Sequence, residues 1–108
     1  MILVDANVLM YASGAGHPNK ESAVAFLRRV AEGEVEAVVD AEVLQEVIHR
    51  YTSLQRWDEG REVYSIARFL FPEVLAISGA VVDKAKVLVD ELSSLTARDA
   101  VHASVVSV

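Results

Sequence analysis

Three short apolar segments, each followed by a polar residue and an amphipathic helix pattern, constrain the fold of this chain most strongly. The segments are residues 2–4, 35–39 and 74–77. The first of them is a continuous apolar run, typical of a strand that is buried on both faces, as in parallel sheets, and the other two are further candidate strands. Because these segments alternate with helix patterns, the sequence predicts an α/β fold with a central parallel sheet.

The predicted helices begin at residues that can cap them. Asn19, Asp40 and Ser78 each precede apolar residues spaced three and four positions apart. Side-chain oxygens of Asn, Asp and Ser accept hydrogen bonds from the first free N–H groups of a helix. We therefore expect helices to start directly after these three positions.

The last predicted helix runs from Thr96 to the end of the sequence. Thr96, followed three residues later by Asp99, has the form of a capping box. No glycine and no strand pattern follow this helix. We expect one α/β domain over residues 1–108 that lacks its last strand, because a parallel α/β sheet normally receives another strand there.

Composition limits the kind of metal site and the location of the protein. The chain has 108 residues, no cysteine and a net charge of −6. Without thiolates, a metal would be held by oxygen or imidazole, which favours Mg²⁺ or Mn²⁺ over structural zinc. The acidic balance counts against tight non-specific binding of nucleic acid, but it is compatible with a nuclease whose acidic cleft is neutralised by metal. The start has no basic segment, and no apolar run approaches the roughly 20 residues of a membrane span, so we expect a cytoplasmic protein without a membrane partner.

Three acidic residues lie at places where they can take part in chemistry. Asp5 follows the first strand, at the edge where open α/β sheets gather ligands, although it can equally cap the next helix. Glu46 flanks the apolar stripe of its helix, a position that is usually solvated. Asp99 serves equally well as a capping acid. If the three carboxylates meet in space, they can hold one or two Mg²⁺ or Mn²⁺ ions and hydrolyse phosphodiester bonds, with Asn7 orienting Asp5 or a water.

Two histidines and one arginine lie near these acids in the sequence. His102 shares a helix face with Asp99 and could reach a cleft, but a packed helix residue is the more common role. His49 has no second ligand four residues on, so a surface or boundary role is favoured. Arg98 could contact a phosphate, although such arginines are usually solvated.

Three motifs carry a resemblance to a known family. Residues 2–9, ILVDANVL, closely resemble the opening motif of PIN domains, in which a strand delivers the first metal-binding Asp. Residues 43–47, VLQEV, and residues 95–103, LTARDAVHA, resemble the second and third motifs of that family. The order of the motifs and their predicted strand and helix contexts agree with the family across the whole chain.

The resemblance implies a three-layer α/β/α fold, endoribonuclease activity, and Mg²⁺ or Mn²⁺ held by Asp5, Glu46 and Asp99, with Asn7 in a supporting role. For VapC-like toxins of type II toxin–antitoxin pairs it also implies an RNA substrate, a homodimer and inhibition by a cognate antitoxin protein. Family members usually continue into a further strand and a fourth acidic position, which this sequence does not contain.

Two other functions stay open at this point. The first is a catalytically inactive PIN-like module that acts only in protein binding or dimerisation, because the fourth acid is absent. The second is a haloacid-dehalogenase-like phosphatase with Asp5 as the nucleophile. That family typically has a second Asp two residues later, where this chain has Asn7, and Lys84 and Lys86 lie in an ordinary amphipathic helix. We therefore rank the phosphatase below both the nuclease and the inactive module.

Overall fold

The computed structural model describes residues 2–14 and 16–107, with side chains up to Val105. Met1, Ala15 and Val108, and with them the predicted outer limits of the domain and of the last helix, lie outside the described residues.

A parallel sheet of three strands lies at the centre of the described fold, as the sequence predicts. The strands are β1 (Ile2–Leu3), β2 (Ala37–Asp40) and β3 (Val74–Leu75), in the order β1–β2–β3. Ile2 pairs with Ala37, and Asp40 pairs with Leu75. Since β2 is the middle strand, its last residue, Asp40, lies at the carboxyl edge of the sheet with a neighbouring strand on each side.

Helices fill the connections between these strands and follow the last of them. They are α1 (Ala6–Ser13), α2 (Lys20–Ala31), α3 (Ala41–Ser53), α4 (Trp57–Leu70), α5 (Gly79–Glu91) and α6 (Ala97–Ser107). The observed order confirms the predicted alternation of strands and helices. None of the described helices combines the length and the apolar character that crossing a bilayer requires.

The core is built where the sheet meets α1, α3 and α4. Val39 of β2 and Val47 of α3 are completely buried, and Leu9 of α1 and Ala67 of α4 pack in the same cluster. Burial of a side chain the size of Val or Leu contributes about 1.5–3 kcal/mol. This cluster therefore fixes the first turns of α1 and α3 against the carboxyl ends of β1 and β2.

Capping side chains set the starts of two helices. The side-chain oxygens of Asp40 and Ser78 accept hydrogen bonds from the backbone N–H three residues on, at 3.0 and 3.3 Å. These two predicted caps are confirmed. The predicted Asn19 cap is wrong: Asn19 precedes α2, but its side chain makes no capping hydrogen bond, and its backbone N–H donates to Nδ1 of His17 instead.

Candidate active site

Asp5 lies two residues after the end of β1, at the carboxyl edge of the sheet. Its Oδ1 accepts a hydrogen bond from the backbone N–H of Asn7 at 3.2 Å, so Asp5 does cap α1. The residue is nevertheless exposed, and it lines a cavity of about 150 Å³ together with Leu3, Val4 and His102. Capping uses one of the two carboxylate oxygens, and the cavity gives the carboxylate access to a ligand.

Glu46 is not the solvated surface residue that its sequence position suggests. Its side chain is 16% exposed, and Oε1 lies 3.4 Å from Nη1 of Arg98 and 3.9 Å from Nη2 of Arg50. Arg50 is a neighbour one turn away in α3, whereas Arg98 comes from α6. The pair with Arg98 therefore joins the second predicted motif to the third.

Asp99 lies in the first turn of α6 and is exposed. Its backbone N–H donates to Oγ1 of Thr96 at 3.2 Å, which is the Thr half of the predicted capping box. The helix packs chiefly against α5. Two residues of α6 on either side of Asp99 also make side-chain contacts with β2 and α3: Arg98 with Glu46, and His102 with Asp40.

The attachment on the C-terminal side of Asp99 is a contact between His102 and Asp40, a pair that the sequence did not predict. His102 Nδ1 lies 2.5 Å from Oδ2 of Asp40, and Asp40 has no exposed surface. The sequence indicated Asp40 only as a helix cap, and it favoured a packing role for His102. One local signal was present in the sequence. The predicted second strand is followed by Asp40, although a Ser, as at Ser78, would have been sufficient to cap the next helix.

The elements that carry the three predicted acids meet at one edge of the sheet. Asp5 shares its cavity with His102, and Glu46 pairs with Arg98, so α6 contacts the other two motifs on either side of Asp99. Within residues 2–14 and 16–107, however, no three His, Asp or Glu side chains are grouped closely enough to hold one ion.

The donor chemistry at this edge suits a hydrated hard cation. Mg²⁺ usually keeps several waters and binds through one or two carboxylates, so it does not need a full shell of protein ligands. The guanidinium of Arg98 beside Glu46 supplies positive charge at the same acidic edge. The exposed carboxylate of Asp5 at its cavity therefore fits a divalent ion that retains most of its water.

Comparison with known families decides how the chain is classified. A family model described as "PIN domain" matches residues 2–107. The chain belongs to the PIN-domain family. The predicted resemblance and the predicted α/β fold of PIN type are thereby confirmed.

Similar proteins of this PIN family bear ribonuclease names. Ribonuclease VapC13 of Mycobacterium tuberculosis (strain ATCC 25618 / H37Rv) is 38% identical over 107 residues, which are 99% of this chain and 82% of the relative. VapC ribonuclease Mb1869c of Mycobacterium bovis matches with the same identity and coverage. Ribonuclease VapC23 of M. tuberculosis (strain CDC 1551 / Oshkosh) is 34% identical over 102 residues, which are 94% of this chain and 80% of the relative. No solved structure gives a significant match.

The roles of individual PIN-motif residues stay predictions. Asp5, Glu46 and Asp99 occupy the motif positions named above, and Asn7 contributes its backbone N–H to Asp5. His49 is exposed on α3, in keeping with the favoured surface role.

Proposed function

We propose that this PIN-domain chain is a metal-dependent endoribonuclease and the toxin of a type II toxin–antitoxin pair. The observation that carries the proposal is the similarity, along nearly the whole chain, to relatives named VapC ribonucleases. The meeting of β1, α3 and α6 at one edge supports it, because these elements carry Asp5, Glu46 and Asp99. The phosphatase alternative loses its basis with the family assignment.

In this proposal Asp5, Glu46 and Asp99 hold Mg²⁺ or Mn²⁺, partly through the waters that the ion retains. When bound, such an ion supplies Lewis acidity that activates a water and stabilises negative charge on the phosphate. Asp5 acts from the rigid end of β1, where capping of α1 fixes its Oδ1 and leaves Oδ2 for the ligand. Arg98 holds Glu46 at the edge, and its partly exposed guanidinium keeps donors available for the RNA phosphate.

The proposal includes macromolecular partners besides RNA. We expect a cognate antitoxin and a homodimer, as is implied for VapC-like toxins. The net charge of −6 supports an antitoxin whose basic segment covers the acidic edge. We also expect a cytoplasmic location, because RNA substrates and the antitoxin would be met there.

Asp5→Asn tests the proposal with little disturbance of the fold. Asn caps helices about as well as Asp, so α1 should keep its start while the charge at the ligand position is lost. We expect Mn²⁺-dependent cleavage of RNA to fall by at least about 100-fold, because even residues outside the metal shell typically contribute 10–100-fold.

Asp58→Asn is the matched control for this experiment. Asp58 lies on α4 with a fully exposed side chain. Its replacement by Asn removes the same negative charge as Asp5→Asn does. Its variant should cleave like the parent, and chelation of the metal should stop both. Equal cleavage by Asp5→Asn and Asp58→Asn would reject Asp5 as a metal-binding acid.

A catalytically inactive module that only binds protein is the second candidate. It is favoured by the absence, within the described residues, of a three-carboxylate group close enough to hold an ion. Calorimetry with Mn²⁺ separates the two candidates. Binding that is lost in Asp5→Asn supports the nuclease, whereas no measurable heat at millimolar Mn²⁺ supports the inactive module.

A further inference from the structure

The complete burial of Asp40 calls for more than a capping role. Its Oδ1 accepts the Val43 N–H at 3.0 Å and so begins α3. Ser78 performs the same task for α5 with a hydroxyl. A buried carboxylate is costly unless both oxygens are hydrogen-bonded, so a cap alone does not explain Asp at this position. The second oxygen of Asp40 is satisfied by His102.

This contact determines which nitrogen of His102 is available to a ligand. An ionised carboxylate only accepts hydrogen bonds, so with Asp40 in that form Nδ1 carries the proton in the contact. In a neutral imidazole the other nitrogen, Nε2, then keeps its lone pair. Asp40 and His102 are 62 residues apart in the sequence, and their hydrogen bond fixes the orientation of the ring relative to the sheet.

The His102 ring lines the same cavity as Asp5. The cavity measures about 150 Å³, and its other two lining residues, Leu3 and Val4, are apolar. Its polar side chains are thus the carboxylate of Asp5 and the imidazole of His102. Two acceptors beside apolar walls favour a cation over an anion such as phosphate.

We propose that His102 supplies a nitrogen ligand, through Nε2, to the divalent ion held by Asp5, and that Asp40 is the positioning residue for His102. A carboxylate that accepts from one ring nitrogen while the other nitrogen binds metal is a recurrent arrangement in metalloproteins. Waters complete the coordination shell. Because imidazole suits transition metals better than Mg²⁺, the site binds Mn²⁺ in preference to Mg²⁺. The inference rests on the proposed function for the role of Asp5.

Asp40→Asn tests the positioning step without any metal. Asn keeps the cap on α3, but its amide can turn an N–H toward Nδ1, so Nδ1 must then accept and the proton moves to Nε2. The chain has 3 histidines, so ¹⁵N-detected NMR of the imidazoles can resolve all of them. We expect His102 to carry its proton on Nδ1 in the parent and on Nε2 in Asp40→Asn. The Nε2-protonated form in the parent, or no change in the variant, would overturn the role of Asp40.

Pulsed EPR of bound Mn²⁺ tests the ligand itself. In the parent the Mn²⁺ signal should show coupling to a directly bound ¹⁴N nucleus. His102→Gln should remove this coupling and weaken Mn²⁺ binding about tenfold or more, with a smaller effect on Mg²⁺. His49→Gln is the matched control, since His49 is exposed on α3. It should keep both the coupling and the affinity.

The outcomes separate this inference from the proposed nuclease function. Two results would refute the ligand role of His102 and leave the nuclease proposal intact. One is Mn²⁺ binding that depends on Asp5 but shows no nitrogen coupling. The other is nitrogen coupling that persists in His102→Gln. Nitrogen coupling in a protein that cleaves no RNA supports the ligand role and refutes the nuclease. If His102→Gln does not fold, Asp40→Asn gives the decision, because its Nε2–H form should also lose the coupling.

Discussion

Replacement of Asp40 by Ala removes two interactions from the centre of the fold, and their sizes can be separated. Loss of an N-cap costs about 1 kcal/mol. Loss of the His102 contact leaves the Nδ1–H of a side chain that is 19% exposed without its partner. An unsatisfied, mostly buried polar group costs about 1–3 kcal/mol, and the lower half applies here because water can reach part of the ring. We expect Asp40→Ala to lower the free energy of unfolding by about 2–3 kcal/mol.

Ser78→Ala calibrates this value, because Ser78 caps α5 by accepting from the N–H of Val81, also three residues on, and within the described part of the chain no second contact like that of Asp40 with His102 is recorded for it. Urea unfolding followed by circular dichroism should give a loss of about 1 kcal/mol for Ser78→Ala. A double-mutant cycle with His102→Ala should give a coupling of about 1–2 kcal/mol between Asp40 and His102. If Asp40→Ala costs no more than Ser78→Ala, or the coupling is zero within error, the buried pair does not exist in solution.

Two further predictions concern the packing of α3 against α4. An added Cβ at Gly60 would lie 2.5 Å from Cβ of Tyr51, so Gly60→Ala should lower the free energy of unfolding in urea by about 1–2 kcal/mol, despite the better helix propensity of Ala. An added Cβ at Gly79 meets nothing within 4 Å, so Gly79→Ala should not lower it. Equal stability of the two variants would contradict the contact at Gly60. Burial, and then the charge of Glu59, raise the pKa of Tyr51, so the stability from its protonated phenol is fully present below about pH 10 and is lost as pH rises through the folded-state pKa. Tyr51→Phe should therefore lose less stability than the parent as pH rises above about 10, and parallel unfolding midpoints over that range would refute the raised pKa.

The alternation of strands and helices could be predicted because each signal is local. Asp40 and Ser78 combine a preceding apolar run with a side chain that caps, and both features act within four residues. Strand limits were less accurate: the second strand was predicted over residues 35–39 and is Ala37–Asp40, and the third was predicted over residues 74–77 and is Val74–Leu75. Pairing with the neighbouring strand decides where a strand ends, and a single segment does not contain that information.

The contacts of the candidate site could not be predicted, because they join distant parts of the chain. Glu46 occupies a helix flank that is normally solvated, and only the docking of α6 brings Arg98 to it. The spacing of Asp99 and His102 correctly placed both residues within the last helix. It gave no indication that the imidazole would meet Asp40, because helical periodicity relates residues of one helix and not residues of two elements.

The order of strands in the sheet explains why two similar aspartates have different environments. Asp40 is the last residue of β2, Asp5 lies two residues after the end of β1, and both cap the next helix. β1 pairs with β2 in the described sheet, whereas β2 is flanked by β1 and β3, so the end of β2 is enclosed and the end of β1 stays open. An enclosed carboxylate must take a protein partner, and His102 is that partner. An open carboxylate can take a ligand from solution. The same strand-end chemistry thus yields a positioning group at Asp40 and a ligand-binding group at Asp5, and His102 lies between them.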